Sequence, residues 1–341
     1  MEKVKLGIVG LGRLGREHAA NINYNIINAE LTAVCSVVRE ELDSITGEMN
    51  PSYATTDYME LFNDRNLDGI VIASNSAYHC RMICDAVNAG VKNIYCEKPL
   101  GMTLEEINQT KELVEKSGAE IIQIGYNRRF DSSLMTIKQK IQEGFIGKPI
   151  LVKLLNRDMV WDRERLLSFS PTSGGLVFDM LTHDYDTARW LIDSDAETVF
   201  GMGGAFGYEG LAEINDMDNC IISVSFQNGV MGYLETSRNS TYGYHVELEV
   251  LGTEGSLRMG TVPYKNRVVS LNKDGINTEC VKWFFEFWEP TFKAELQHFT
   301  DCIQNKTQPK VTLMDGYKAA RWAFAAKEAV DKRQVVHLPI S

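Results

Sequence analysis

The chain has 341 residues, of which 44% are hydrophobic and 24% charged, and its formal net charge is −11. This length predicts two domains, or three, each large enough to bury its own core. The negative charge argues against nucleic acid or an anionic membrane as a partner, because its field repels polyanions. No apolar run reaches the roughly 20 residues that cross a bilayer, and no secretory signal precedes the first strand. We therefore expect a cytoplasmic protein.

The seven cysteines are scattered along the chain and form no Cys-x-x-Cys pair. Cys80 and Cys84 share a helix face near His79, but a zinc site needs four ligands or a second cluster. Reduced cysteines that act as small hydrophobic side chains explain this pattern better. No metal site is therefore predicted.

The first third of the chain alternates short apolar strands with amphipathic helices. Strands that are apolar throughout, with helices between them, are typical of a parallel, doubly wound sheet covered on both faces. We therefore predict an α/β fold whose first domain, residues 1–125, is a Rossmann domain. The predicted strands are 4–10, 29–38, 68–74, 91–99 and 120–127, and the clearest helices are 79–90 and 103–118.

The remaining sequence has a different pattern, with alternating or β-branched segments joined by Asn-Gly and Thr-Glu-Gly turn signals. It predicts an α+β domain over residues 126–341, built on a large, open and mainly antiparallel sheet. One face of that sheet is expected to meet solvent or another subunit, and the C-terminal helices are able to pack back on the first domain. The predicted strand segments are 149–158, 220–239, 245–260 and 266–275, and the predicted helices are 290–305 and 313–333.

Three glycines mark a dinucleotide site directly after the first strand. Gly10, Gly12 and Gly15 form G-x-G-x-x-G, with Arg13 and Leu14 inside the motif. The first glycine permits a tight turn, the second lets the backbone approach a pyrophosphate, and the third allows close packing of helix and strand. The alternative, a glycine-rich structural turn, explains the motif less well because it lies in the first βα unit.

The end of the second strand bears on the choice of cofactor. An acid usually stands there to bind the adenosine ribose, but this chain has Ser36, followed by Arg39. A serine does not repel a 2′-phosphate, and Arg39 or Arg13 could pair with one. We therefore predict that NADP is favoured over NAD. The alternative is that Ser36 is a tolerated variant and Arg39 is solvated.

Lys98 is the first candidate catalytic residue. It lies between Glu97 and Pro99 at the predicted end of a strand, and ligands of open α/β sheets bind beyond such ends. A lysine there can contact a substrate oxygen, and desolvation can lower its pKa. Without further context, a surface lysine would be the ordinary interpretation.

A second group of ionisable residues lies in the apolar segment that begins near Gly175. On a helix, Asp179 and His183 are one turn apart and able to reach a common ligand. A carboxylate beside an imidazole suits proton transfer, since the acid orients the histidine and the histidine acts as a base near neutral pH. The alternative is a helix with a solvated polar face, to which Asp184 and Asp186 would belong. A metal site would lack the second histidine of H-E-x-x-H.

Together these motifs resemble the Gfo/Idh/MocA family of oxidoreductases, over essentially the whole chain. Within that family the sequence is most similar to inositol 2-dehydrogenases. The resemblance is carried by "GLGRLG", by "EKP" at 97–99, by "GYNRRFD" at 125–131, by "GGLVFDMLTHDYDTARWL" at 174–191 and by the late "EPTFKAELQHFTDCI".

The resemblance implies an oxidoreductase acting on a CH–OH group, with a set of site residues and a homo-oligomer, dimer or tetramer, formed through the C-terminal sheet. Its catalytic lysine, aspartate and histidine correspond to Lys98, Asp179 and His183. For the cofactor, it implies the loop residues Ser74, Asn75 and His79. The predicted cofactor-binding set also contains the glycine loop, Ser36, Arg39, Glu97 and Lys98. The substrate-binding residues are Arg128, Asn156, Asp158 and Tyr244.

The expected reaction is oxidation of a secondary hydroxyl of a cyclic polyol, an inositol. His183 would take the proton, Lys98 would stabilise the alkoxide and Asp179 would orient one of them. Two alternatives remain: a sugar or glucoside dehydrogenase of the same family, and a dinucleotide sensor without catalysis. The absent acid at Ser36 and the segment 161–175 are the departures from the inositol enzymes.

Overall fold

The computed structural model describes residues 2–260, 264–273 and 275–338, without the side chain of Arg267. The chain divides into two compact units, the first comprising residues 1–127 and 290–320 and the second residues 128–289 and 321–341. Residues 290–320, placed in the second domain by the sequence-based division, group with the first unit. Within the described ranges, no helix combines the length and the hydropathy that a bilayer crossing requires.

The first unit is built on a six-stranded parallel sheet in the order β3-β2-β1-β4-β5-β6. This is the predicted Rossmann sheet. Its central strands are buried because helices cover both faces, and only the three-residue β3, which is partly exposed, escaped prediction. The strands are β1 (Val4–Val9), β2 (Ala29–Cys35), β3 (Tyr53–Thr55), β4 (Gly69–Ile72), β5 (Asn93–Cys96) and β6 (Ile121–Ile124).

Hydrogen bonds from nearby side chains determine where some helices of this unit begin. Helix α5 starts with the predicted capping box, in which Thr103 accepts from the Glu106 N–H and Glu106 accepts from the Thr103 N–H. A π-helical turn, Asn21–Asn25, follows the first helix. The helices are α1 (Arg13–Ala20), α2 (Arg39–Met49), α3 (Tyr58–Asn63), α4 (His79–Asn88) and α5 (Leu104–Glu115).

The second unit contains a seven-stranded mixed sheet in the order β12-β11-β7-β10-β9-β8-β15. All neighbours are antiparallel except β7 and β10, which run parallel. Burial alternates along the strands, so one face of the sheet is covered and the other is open. The strands are β7 (Pro149–Met159), β8 (Ala196–Gly204), β9 (Asn219–Phe226), β10 (Met231–Ser240), β11 (His245–Gly252), β12 (Ser256–Met259) and β15 (Val336–His337).

The predicted hairpins are present in this unit. Gly229 has a φ of +84° in the turn between β9 and β10, a conformation that favours glycine. A separate two-stranded sheet pairs β13 (Tyr264–Asn272) with β14 (Gly275–Cys280). Asp274, inside the predicted segment 266–275, lies outside the described residues.

The predicted helix from Gly175 to Ile192 is in fact two helices that meet at Met180. The second helix opens with a tight turn, in which the His183 N–H donates to the Met180 carbonyl. Behind it, Tyr185 stacks on Trp322 with ring centroids 4.9 Å apart. The helices are α6 (Ser132–Gln142), α7 (Arg163–Ser173), α8 (Gly175–Asp179), α9 (Leu181–Ile192), α10 (Phe284–Asn305) and α11 (Leu313–Lys332), of which the last two have residues in both units.

Candidate active site

The glycine loop after β1 has the geometry that a dinucleotide pyrophosphate needs. A Cβ on Gly10, whose φ is +90°, would lie 2.6 Å from the Ala73 carbonyl oxygen, and one on Gly15 would lie 1.9 Å from the Gly10 oxygen. Among the described residues other than its chain neighbours, a Cβ on Gly12 would meet only the Glu41 Oε1, at 3.9 Å. The backbone at Gly12 is therefore open to a ligand, beside the N-terminus of α1.

The Glu41 carboxylate lies next to the end of β2, where the chain has Ser36 in place of an acid. The Ser36 hydroxyl donates to Glu41 Oε2 at 2.5 Å and accepts from the Val38 N–H at 3.1 Å. The exposed Arg39 instead forms an ion pair with Asp43 one helical turn on, at 3.7 Å. The prediction of NADP depended on the absence of an acid near Ser36, and Glu41 supplies one.

The loop after β4 contains three further predicted cofactor residues. Asn75 caps a short 3₁₀ turn by accepting from the Ala77 N–H, and Ser74 is half-buried. His79 is fully buried, with Nδ1 2.7 Å from the Pro99 carbonyl oxygen and Nε2 3.1 Å from that of Ser74. Burial lowers the pKa of His79, and the two carbonyl contacts oppose that shift. Because a neutral imidazole has a single N–H, a neutral His79 donates to only one of the loops that follow β4 and β5.

Glu97 is the centre of a buried hydrogen-bond cluster next to Lys98. Its Oε1 accepts from the Tyr95 hydroxyl at 2.8 Å and lies 2.7 Å from His18 Nε2, while Oε2 accepts from the Lys98 N–H at 3.2 Å. Burial opposes ionisation of Glu97, but the hydrogen bond to His18 helps hold its pKa below the ordinary value. Glu97 thus fixes the backbone of Lys98, whose side chain is half-buried.

A second acid, Glu295, is buried beside this cluster. Burial and the charge of Glu97 raise the pKa of Glu295 well above its ordinary value, which favours its protonated form in the folded chain. His18, Glu97 and Glu295 offer ligand atoms within 4.8 Å of one another, the only such group among the described residues. Because His18 and Glu97 already bond to each other, a metal ion would have to break that contact.

In the second unit, Asp179 ends helix α8 and His183 lies in the first turn of α9; both side chains are half-buried. Asp179 Oδ2 accepts from Arg238 Nη2 at 3.0 Å. Arg238 lies on β10 and is 0% exposed. The sequence analysis missed this arginine, which keeps a positive charge beside the predicted catalytic aspartate.

Asp158, at the end of β7, belongs to the same group of charges. Its Oδ2 accepts from the indole N–H of Trp161 at 2.9 Å and its Oδ1 from the Met159 N–H at 3.0 Å. Burial raises the pKa of Asp158 to about 6; Arg238 lowers it and Asp179 raises it. Asp158 therefore titrates close to neutral pH.

Other predicted substrate residues form a second buried network. Arg128 donates to Asp184 Oδ1, and the Asn156 amide donates to Asp184 Oδ2 at 3.1 Å. The Arg128 guanidinium also lies 5.3 Å from the ring centroid of Trp288, and the Trp288 indole donates to the Tyr244 hydroxyl at 2.8 Å. Arg128, Asn156 and Tyr244 are thus brought together.

The alternative of a solvated helix face at Asp184 and Asp186 is wrong. The two acids are 0% and 1% exposed. Asp184 pairs with Arg128, and Asp186 accepts from the Arg129 Nε at 2.8 Å. The consecutive arginines of "NRRFD" were a usable signal for two buried acids elsewhere, whereas nothing in the sequence marked Arg238.

Comparisons with known proteins agree with this architecture. Residues 4–126 match the family described as an oxidoreductase family with an NAD-binding Rossmann fold, and residues 134–258 match the Gfo/Idh/MocA C-terminal domain. The chain is 33% identical to scyllo-inositol 2-dehydrogenase (NAD(+)) of Bacillus subtilis, covering 99% of this chain and 97% of that protein. It is 29% identical to myo-inositol 2-dehydrogenase of Thermotoga maritima, covering 98% of each.

A solved structure extends the likeness to three dimensions. The crystal structure of scyllo-inositol dehydrogenase from Lactobacillus casei, with bound NAD(H) and scyllo-inositol, superposes with a TM-score of 0.94 at 34% identity. The match covers 99% of each chain. With a Rossmann sheet, an open dinucleotide loop and family matches over both halves, the chain belongs to the Gfo/Idh/MocA family and is an oxidoreductase.

Proposed function

We propose that the chain is a nicotinamide-dinucleotide-dependent dehydrogenase that oxidises a secondary hydroxyl of a cyclic polyol, an inositol. The observation that carries this proposal is the full-length likeness to the Lactobacillus casei enzyme, whose structure holds NAD(H) and scyllo-inositol. The Bacillus and Thermotoga relatives are also named for inositols. Scyllo-inositol is the first isomer to test, because two of these three relatives are named for it.

The proposed chemistry divides between three side chains. His183 takes the proton of the substrate hydroxyl, a task suited to an imidazole near neutral pH. Lys98 stabilises the developing alkoxide with its positive charge. Asp179 orients Lys98 or His183, and its own carboxylate is held by Arg238. The dinucleotide, when bound by the loop of Gly10, Gly12 and Gly15, supplies the acceptor for the hydride.

The charge balance of the second unit supports an uncharged substrate. Arg128 is paired with Asp184, Arg129 with Asp186 and Arg238 with Asp179. A site for an acidic substrate would keep an arginine available for its carboxylate. A polyol instead needs hydrogen-bond donors and acceptors of both kinds, which Asn156 and Asp158 provide.

We also propose a homo-oligomer, formed through the open face of the seven-stranded sheet. Met202 and Met231 are each 58% exposed on its strands, and large exposed apolar side chains are typical of protein contacts. Sedimentation of the purified chain tests this: a monomer at micromolar concentration contradicts it.

Initial rates with NAD and NADP test the proposed reaction, against inositol isomers and common hexoses. We expect turnover of an inositol. Activity on an aldose or glucoside alone would replace the substrate while keeping the chemistry. Dinucleotide binding without turnover of any of these would contradict the enzyme assignment and favour a sensor.

The variant His183→Ala tests the proposed base. We expect it to lower turnover of the inositol by about 10²-fold or more while NADH binding stays within a few-fold of the wild type. The control is His337→Ala, which removes an exposed imidazole on β15 and should leave turnover unchanged. Near-full activity of H183A contradicts the assignment.

A further inference from the structure

We propose that Glu41 binds the adenosine ribose of the cofactor and makes the chain selective for NAD(H) over NADP(H). This inference rests on the proposed dinucleotide site. Rossmann domains usually bind the ribose hydroxyls with an acid at the end of the second strand. Here that position is Ser36, and the acid comes from the first turn of the following helix, α2.

Both oxygens of the Glu41 carboxylate have defined surroundings. Oε2 accepts from the Ser36 hydroxyl at 2.5 Å, which places the carboxylate at the end of β2. Oε1 lies 3.9 Å from the point where a Gly12 Cβ would stand, and no other atom of the described residues beyond Gly12 and its chain neighbours comes within 4 Å of that point. The carboxylate therefore borders the backbone that the pyrophosphate approaches, on the side of β2 where the ribose acid normally lies.

Two features favour a carboxylate at this place. The Ser36 hydroxyl is itself fixed, because it also accepts from the Val38 N–H at 3.1 Å. Glu41 lies in the first turn of an 11-residue helix, where the positive end of the helix dipole stabilises a negative charge. The half-buried side chain remains reachable by a ligand.

The charge decides between the two cofactors. An ionised carboxylate accepts hydrogen bonds from both ribose hydroxyls of NAD(H). The 2′-phosphate of NADP(H) would bring a second anion against it, which is discrimination by repulsion. Arg39, the predicted phosphate partner, is engaged by Asp43 on the same helix. The preference for NADP predicted from Ser36 and Arg39 is therefore reversed.

Equilibrium binding tests this without catalysis. NADH and NADPH are titrated into the purified full chain, and dissociation constants are read from nicotinamide fluorescence. We expect NADH to bind at least about tenfold more tightly. The variant Glu41→Gln replaces the charged hydrogen-bond acceptor by an amide and removes the repulsion of the 2′-phosphate. NADH binding should therefore weaken about 10-fold or more, while NADPH binding becomes tighter.

Two further variants sharpen the result. Glu40→Gln removes the same charge from the neighbouring exposed position and should leave the NADH/NADPH ratio nearly unchanged. Ser36→Ala keeps the carboxylate but removes its donor, so the ratio should move as in E41Q but less far. Circular dichroism confirms that each variant is folded.

The inference is overturned if the wild type prefers NADPH, or if E41Q changes the ratio no more than E40Q does. Binding of neither dinucleotide would overturn both this inference and the proposed function. Selective NADH binding that E41Q abolishes, without turnover of any polyol, would uphold Glu41 and remove only the proposed function.

Discussion

In the second unit arginines pair with two fully buried acids, whereas in the first unit one buried acid lies against another carboxylate. Asp184 and Asp186 are held by Arg128 and Arg129, but Glu295 adjoins another carboxylate, Glu97. Burial raises the pKa of Asp184, and the charge of Arg128 opposes that shift, so the carboxylate depends on its partner. For Glu295, burial and a like charge both favour the protonated form, which makes the fold sensitive to pH. The cost of burying an acid is thus offset by a cation at Asp184 and Asp186, and by protonation at Glu295.

The largest expected effect comes from breaking a pair in the second unit. Arg128→Met leaves Asp184 buried without its cation, which costs about 3–5 kcal/mol of stability. Thermal unfolding followed by circular dichroism should show a large drop in melting temperature. Adding Asp184→Asn should recover part of the loss, because the remaining group is then neutral.

The matched control for that loss is an exposed pair. Lys153 lies 3.3 Å from Glu249 on the open face of the sheet, and Lys153→Met should cost less than about 1 kcal/mol. If R128M cost no more than K153M, the buried pair would not be the stabilising element described here.

Next in size is the pH dependence created by Glu295. Its raised pKa means that the folded chain keeps a proton that the unfolded chain releases above pH ~4.3. The contribution of protonated Glu295 to the free energy of unfolding is therefore fully present below that pH. It falls as the pH rises, by at most about 1.4 kcal/mol per pH unit. Glu295→Gln cannot ionise, so its stability should decline less, and its advantage over the wild type should grow from pH 5 to pH 9.

Glu289→Gln is the control for this pH series, because it alters an exposed carboxylate on the same helix. Its melting temperature should follow that of the wild type at every pH. A wild type and E295Q with parallel pH profiles would mean that Glu295 is ionised in the folded state.

The smallest expected effect concerns Asp158, a buried acid that has both an arginine and a second carboxylate near it. Its pKa of about 6 reflects burial that the neighbouring Arg238 only partly offsets. Arg238→Gln should raise the pKa of Asp158 further and move the acid limb of the kcat/KM profile on inositol to higher pH, by about one unit. Asp158→Asn should remove that limb, and a limb unchanged in both variants would separate Asp158 from the reaction.

Features that depend on local chemistry could be predicted from the sequence. The glycine loop, the Thr103 capping box and the Asn-Gly hairpin each require specific residues at neighbouring positions. The Rossmann strands followed from their continuous apolar character. Glu41 was within reach as well, had acids in the first turn of the next helix been considered together with Ser36.

Features that depend on distant residues could not be predicted. Arg128 pairs with an acid 56 positions away, and Arg238 with one 59 positions away. The two arginines of "NRRFD" signal buried acids elsewhere but not which acids they are, and no local pattern marks Arg238. The break at Met180 was hidden because residues 175–192 keep a helical apolar pattern on both sides of it.

The parallel pairing of β7 with β10 has a consequence for redesign. Because these strands run in the same direction, Asn156 pairs with Thr236, and the last residues of both strands lie at the same end of the sheet. Asp158 and Arg238 are neighbours for this reason alone. Exchanging two short strand ends, 156–159 and 236–240, would thus replace a coordinated set of polar side chains at once. The same two strand ends also contribute Asn156 and Arg238, which hold the Asp184 and Asp179 carboxylates, so any exchange here has to preserve both of those contacts.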